Sequence, residues 1–144
     1  MIANNKISKI KTVKYVLLIF LLFSCSNDQK ADQWHDKAIE KYLSGNYLGA
    51  IKDSNKAIEL DPEFKEAYFR RGLAKEGLKN IKGAIADFSK AIAIDPDYAK
   101  AYFFRGVDKI DTGDRNGGCL DLNRAEELGR DGKSVYKFIS KYCR

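Results

Sequence analysis

Few residues of this 144-residue chain could do covalent or metal chemistry: three cysteines, at 25, 119 and 143, and one histidine, His35. Thiolates and imidazoles hold a transition metal, or run nucleophilic catalysis, only when several stand in a short and regular pattern. Here the cysteines are isolated from one another and from His35. No serine or acidic pair has a recognisable catalytic setting, and the glycines are scattered with no run that could cradle a phosphate. The expectation is no metal, no cofactor and no catalysis.

Ion pairing is better represented. Lys37, Arg71 and Arg105 recur at one constant spacing, and the same spacing separates Lys41, Lys75 and Lys109, and again Asp53, Asp87 and Asp121. If each arginine and aspartate stand on either side of a hairpin turn, Arg71 and Asp87 are about equally far from its centre, and so are Arg105 and Asp121. They should then face each other in a ladder. The alternative is a solvated face of unpaired charges, and exposed pairs would add only ~0–1 kcal/mol each.

Charge distribution bounds the partners. The net charge is +6, but residues 1–24 carry four lysines and no acid, leaving 22 basic against 20 acidic residues in the rest. Acids and bases interleave through that remainder, without the basic stripe and stacking aromatics of a nucleic-acid reader. No nucleic-acid partner is expected.

The first residues read as an address. Lys6, Lys9, Lys11 and Lys14 precede nine apolar residues, Tyr15 to Phe23, and the run stops at Ser24–Cys25. A bilayer-spanning helix needs ~20 apolar residues, whereas ~7–15 is the length of a signal-peptide core. Leu22-Phe23-Ser24-Cys25 resembles the lipobox of bacterial lipoproteins, although Phe23 stands where a small residue is usual. The resemblance implies removal of residues 1–24, acylation of Cys25 and a short tether over 25–30. Several acyl chains hold a protein on a membrane far more firmly than one. By the same resemblance, Ser26 after the cysteine favours the outer membrane of a bacterial envelope.

Sliding the chain against itself by that same spacing aligns Trp34, Tyr68 and Tyr102; Ala38, Gly72 and Gly106; Ala50, Ala84 and Gly118; and Ala57, Ala91 and Ala125. The first two units close on Asp61–Pro62 and Asp95–Pro96. The small residues let two antiparallel helices approach closely, with the aromatic filling the gap one turn earlier. Gly45–Asn46, Lys79–Asn80 and Gly113–Asp114 mark the turn inside each unit, and the prolines end its second helix. The pattern resembles the tetratricopeptide repeat. It implies an all-α, right-handed superhelical solenoid of three helix-turn-helix units over 31–130 (31–64, 65–98, 99–130), followed by a capping helix over 131–144. The cap is amphipathic, with Val135, Tyr136, Phe138, Ile139, Tyr142 and Cys143 on one face.

Two site readings follow. A second apolar stripe on the first helices, Ile39, Tyr42, Phe69, Leu73, Phe103, Val107 and Ile110, corresponds by the resemblance to the concave surface where peptides or partner helices lie. Packing of these residues on each other is the alternative. A carboxylate-binding clamp is not expected, with Lys100 alone near the stripe, so the expected ligand is an apolar or aromatic protein or peptide segment. Two further readings are a self-associating structural lipoprotein and an accessory subunit of a secretion or outer-membrane assembly machine. The second site is covalent. Cys119 and Cys143 lie equidistant from Asp131 in the connecting loop, which brings them level on antiparallel neighbouring helices, within bridging reach. Two buried free thiols are the alternative.

Overall fold

A computed structural model of the protein describes residues 29–129 and 132–143; the expected leader and Cys25 lie outside them. Every regular element among the described residues is a helix: α1 (29–43), α2 (Tyr47–Leu60), α3 (Lys65–Gly77), α4 (Ile81–Ile94), α5 (Ala99–Asp111), α6 (Arg115–Glu127) and α7 (Gly132–Tyr142). From α2 onwards consecutive helices pack on one another, with α7 laid on α6, and Lys41 and Tyr42 of α1 meet Asp53 and Tyr47 of α2, giving three hairpins in series.

The hairpin turn is built alike in each unit. Gly45, Lys79 and Gly113 adopt φ of +77°, +62° and +96°, the left-handed conformation that reverses a chain after a helix. The next residue then caps the second helix: Asn46, Asn80 and Asp114 accept a hydrogen bond from the backbone N–H of Gly49, Gly83 and Gly117 at 2.9, 3.1 and 2.9 Å. Between units, Pro62 and Pro96 follow Asp61 and Asp95, the residues that end α2 and α4. Their side chains hold the link, accepting from the N–H of Glu63 at 2.9 Å and Asp97 at 3.0 Å.

Inside each hairpin, side-chain volumes on the two helices compensate. A Cβ on Gly72 would lie 2.6 Å from the ring of Phe88, and one on Gly106 would lie 2.9 Å from the Gly118 carbonyl and 3.1 Å from Leu122. The first unit has the extra carbon, at Ala38, and the residue equivalent to Phe88 and Leu122 is the small Ser54, both fully buried. An interior packed to crystal density leaves room for one arrangement or the other. The aromatic core centres on Phe69, whose ring lies 5.4–5.6 Å from Phe88, Tyr98 and Phe104. A second cluster joins Phe103, Leu122, Ala125 and Val135, carrying the core from the third unit into α7.

The recurring charges form a ladder of ion pairs, and they do not make a solvated face. Asp87 receives Arg71 Nε and Nη2 at 2.9 and 2.7 Å and Lys75 at 2.7 Å. Asp121 receives Arg105 at 2.8 and 2.7 Å and Lys109 at 2.9 Å. In the first unit Asp53 meets Lys41 at 2.6 Å, and Lys37 instead lies over the Trp34 ring. The three carboxylate side chains are 2–7% exposed, so the surface-pair magnitude expected from the sequence does not apply to them. Each arginine also reaches the preceding unit, Arg71 to Asn55 Oδ1 at 2.7 Å and Arg105 to Ser89 Oγ at 3.1 Å.

The cap is tied by a covalent bond. Cys119 in α6 and Cys143 just beyond α7 form a disulfide, their Cα atoms 5.6 Å apart. Arg115 Nε donates to the Tyr142 carbonyl beside it, and Val135 is fully buried against the third unit. Tyr136, grouped with the apolar face from its spacing, is instead 55% exposed. Replacing Cys119 and Cys143 together by serine should lower unfolding stability by ~3 kcal/mol, the loop-closure value for a bridge of this span. Denaturant titration, with alkylation of the unfolded, unreduced parent as control, checks it; two alkylated thiols in the parent would show that no bridge forms.

Candidate functional site

The first helices of the three units, α1, α3 and α5, carry the residues expected to make a groove. The structure divides them. Phe69, Leu73 and Phe103 are 7, 7 and 8% exposed and belong to the core, held by the ring contacts around Phe88 and Phe104 and by α7. They are corrected from groove to core: with three units and a cap, the aromatic residues of neighbouring first helices pack on each other before they meet solvent. Ile39, Tyr42, Val107 and Ile110 remain half-exposed. The Tyr42 ring lies 5.6 Å from that of Tyr47, tilted to it, and Tyr47 in turn rests on Gly77.

Polar residues missed by the stripe complete this face. Arg70 lies with its guanidinium 5.1 Å from the Tyr42 ring centre. Its Nε is buried without a hydrogen-bond partner, and no ion pair among the described residues includes it. Burial pulls its pKa down, opposed by Tyr42 and Tyr98. His35 sits next to it, 5.0 Å from the Phe64 ring, with Nδ1 buried and unpartnered. Burial first, and the Arg70 charge second, lower its pKa, so His35 is neutral at neutral pH. Arg70 escaped the sequence reading because it neighbours Arg71, whose ion pair accounted for the basic dipeptide.

The other end of the face is acidic. Glu76 of α3 and Asp108 and Asp111 of α5 act on one another, and Glu76 also acts on Tyr42. Asp108 is 2% exposed and its Oδ2 has no hydrogen-bond partner. Burial, then Glu76, then Asp111 raise its pKa from 3.8 to about 7. Burial and Asp111 likewise raise that of Glu76, with Lys79 opposing. A signal for Asp108 was present in the repeat, since the equivalent position of the second unit is Ala74, fully buried. Among the described residues, no group of three or more His, Cys, Asp or Glu side chains is arranged to hold a metal ion.

Residues 66–98 match the family model for the tetratricopeptide repeat. The solved first tetratricopeptide domain of Spaghetti (RPAP3), bound to the HSP90 peptide SRMEEVD, superposes with a TM-score of 0.78 at 26% identity, over 81% of this chain and 92% of that one. The fold is that of a tetratricopeptide-repeat domain. The TPR2B domain of yeast Sti1, in a pHsp70 complex, superposes with a TM-score of 0.72 at 25% identity, over 79% and 94% of the two chains. In sequence, a 44-residue stretch is 48% identical to the Protein SGT1 homolog of rice, Oryza sativa subsp. japonica. That stretch is 31% of this chain and spans 12% of the rice protein's length.

Asp108 makes the stability of the domain depend on pH in a stated direction. Its pKa is higher folded than unfolded, so between about pH 4 and pH 7 the folded state binds more protons. Stability contributed by the neutral carboxyl is present at low pH and is lost as pH rises towards 7, by at most ~4 kcal/mol at ~1.4 kcal/mol per unit. The change Asp108→Ala, which copies Ala74, should raise the melting temperature at pH 8 by several degrees and flatten its pH dependence. Thermal unfolding of parent and variant at pH 5 and pH 8 checks this; equal slopes would show that Asp108 is not the group responsible.

Proposed function

We propose that the protein is a peptide-binding scaffold whose first-helix face takes up an extended protein segment. The observation that carries the reading is Arg70: a half-buried cation laid on Tyr42, its Nε unpartnered, while the arginines one residue later in the chain and in the repeat are saturated by aspartates. A cation left without an anion, bordered by half-exposed Ile39, Tyr42, Val107 and Ile110, fits a ligand with apolar side chains and an acceptor group. Similar domains of Spaghetti and Sti1 are seen with HSP90 and Hsp70 partners, which supports use of the same fold for peptide capture here.

Panning a random dodecapeptide phage library on the protein tests the reading. Enriched peptides should bind at least ten times more weakly to Tyr42→Ala, the loss of an aromatic anchor at an interface, and equally well to Lys90→Ala on the outer helix α4. A library that yields no binder, or binders indifferent to Tyr42, would overturn the assignment.

We further propose that Cys25 carries acyl chains and holds the body at a bacterial envelope membrane, the outer one by the residue that follows. The lysine-rich, apolar and Ser24–Cys25 sequence supports this. No helix among the described residues is long and apolar enough to cross a membrane. Metabolic labelling with an alkyne fatty acid should mark the parent and leave Cys25→Ser unlabelled; label persisting in the variant refutes acylation at that residue.

A further inference from the structure

The buried acids of this domain fall into two kinds. Asp53, Asp87 and Asp121 each meet a lysine or an arginine-lysine pair at 2.6–2.9 Å. Asp108 is as deeply buried, at 2% exposure, and has neither an ion pair nor a partner for Oδ2. The fold does not need a buried carboxyl there, because the equivalent place is filled by Ala74 in the second unit and by an exposed residue, Glu40, in the first. Burying an acid without a counter-charge costs stability, so packing alone gives no account of its presence.

Its surroundings compound the imbalance. Glu76, from α3, and Asp111, from its own helix, act on Asp108, and both are acidic. Lys79 acts on Glu76 but not on Asp108. Glu76 and Asp111 stand in the last turns of α3 and α5, which end at Gly77 and Asp111. The C-terminal end of a helix carries roughly half a negative charge and favours cations. Three carboxyls that act on one another thus belong to two helices, two of them at C-terminal ends of the same sign, with Asp111 exposed, Glu76 half-exposed and Asp108 buried. Among the described residues the geometry offers no metal-holding group, and the face is shared with Tyr42 through Glu76.

We infer that Glu76, Asp108 and Asp111 form the pocket for a lysine or arginine side chain of the bound peptide, which supplies the counter-charge the fold leaves out. The inference rests on the peptide-binding reading and sharpens it: the ligand carries a basic residue that lies over the ends of α3 and α5. Glu76 and Asp111 make the contact. Asp108, beneath them, is a positioning residue that gives up its proton when the cation arrives, because a positive charge at the mouth stabilises the carboxylate below.

The same dodecapeptide library tests this separately from the parent reading. Peptides enriched on the native protein should be rich in lysine or arginine, and the double variant Glu76→Gln, Asp111→Asn should bind a synthesised enriched peptide about tenfold more weakly. Changing that peptide's basic residue to glutamine should cost the same, and combining both changes should cost no more. Calorimetry at pH 7 in two buffers of different ionisation enthalpy should show proton release on binding to the native protein and none with Asp108→Asn. Because these substitutions remove repulsion, the variants should melt no lower than the parent, which separates lost binding from lost folding. Enriched peptides without basic residues, or a double variant with unchanged affinity, would overturn the pocket while leaving peptide binding intact. No enriched peptide at all would remove both.

Discussion

The architecture depends on how Asp87 and Asp121 are held. Each is a carboxylate almost wholly removed from water, and removing such a charge from water is affordable only when donors surround it. The arginine on the first helix supplies two of them and the lysine one turn later a third. This fixes the register of the two helices in a hairpin. The arginine's remaining arm then reaches Asn55 or Ser89 of the unit before, so the same group sets how one hairpin stands on the next. A planar guanidinium can make both contacts at once, and a lysine cannot. In the first unit the position of the arginine is taken by Lys37, which lies over the Trp34 ring, and Asp53 is held by Lys41.

Close helix approach is the complement of that electrostatic register. Gly72 with Phe88 and Gly106 with Leu122 leave no room for another carbon, whereas Ala38 is matched by Ser54. The first hairpin therefore lacks the large inner side chain of the other two. Its Ser54 hydroxyl is buried without a partner, and the edge of the solenoid nearest its turn shows Leu43 and Leu48 at 76 and 71% exposure. The large buried aromatic side chains lie in units two and three, and α7 is bonded to the third.

Much of this was legible in the sequence because a repeat compares a chain with itself. A shift by one repeat unit located the helices, the turns at Gly45, Lys79 and Gly113, and the arginine-aspartate partners. It could not say how deep a recurring position lies. Phe69, Leu73 and Phe103 alternate with packing residues just as Ile39 and Val107 do, and only the rings of Phe88, Tyr98, Phe104 and Phe138 arriving from other helices decide that they are buried. Periodicity also favours what recurs. Arg70 does not recur and was hidden by the regularity that revealed the fold, while Asp108 could be seen only as a departure from Ala74 in the second unit.

That contrast separates scaffold from site on physical grounds. In units two and three the recurring arginine and lysine meet the recurring aspartate, so these charges are internally satisfied, specify geometry and have nothing left for a ligand. At two places a charge that breaks the repeat has no counter-charge built for it: Arg70 beside Tyr42, and Asp108, on which Glu76 and Asp111 act. These two departures have opposite sign and border the same tyrosine through Arg70 and Glu76. For the peptide ligand proposed above, a free cation and a free acidic cluster on either side of an aromatic ring mean discrimination by charge order as well as by shape, since a segment lying the wrong way would set like charges together. Direction of binding, on this account, is encoded in the residues that the repeat does not explain.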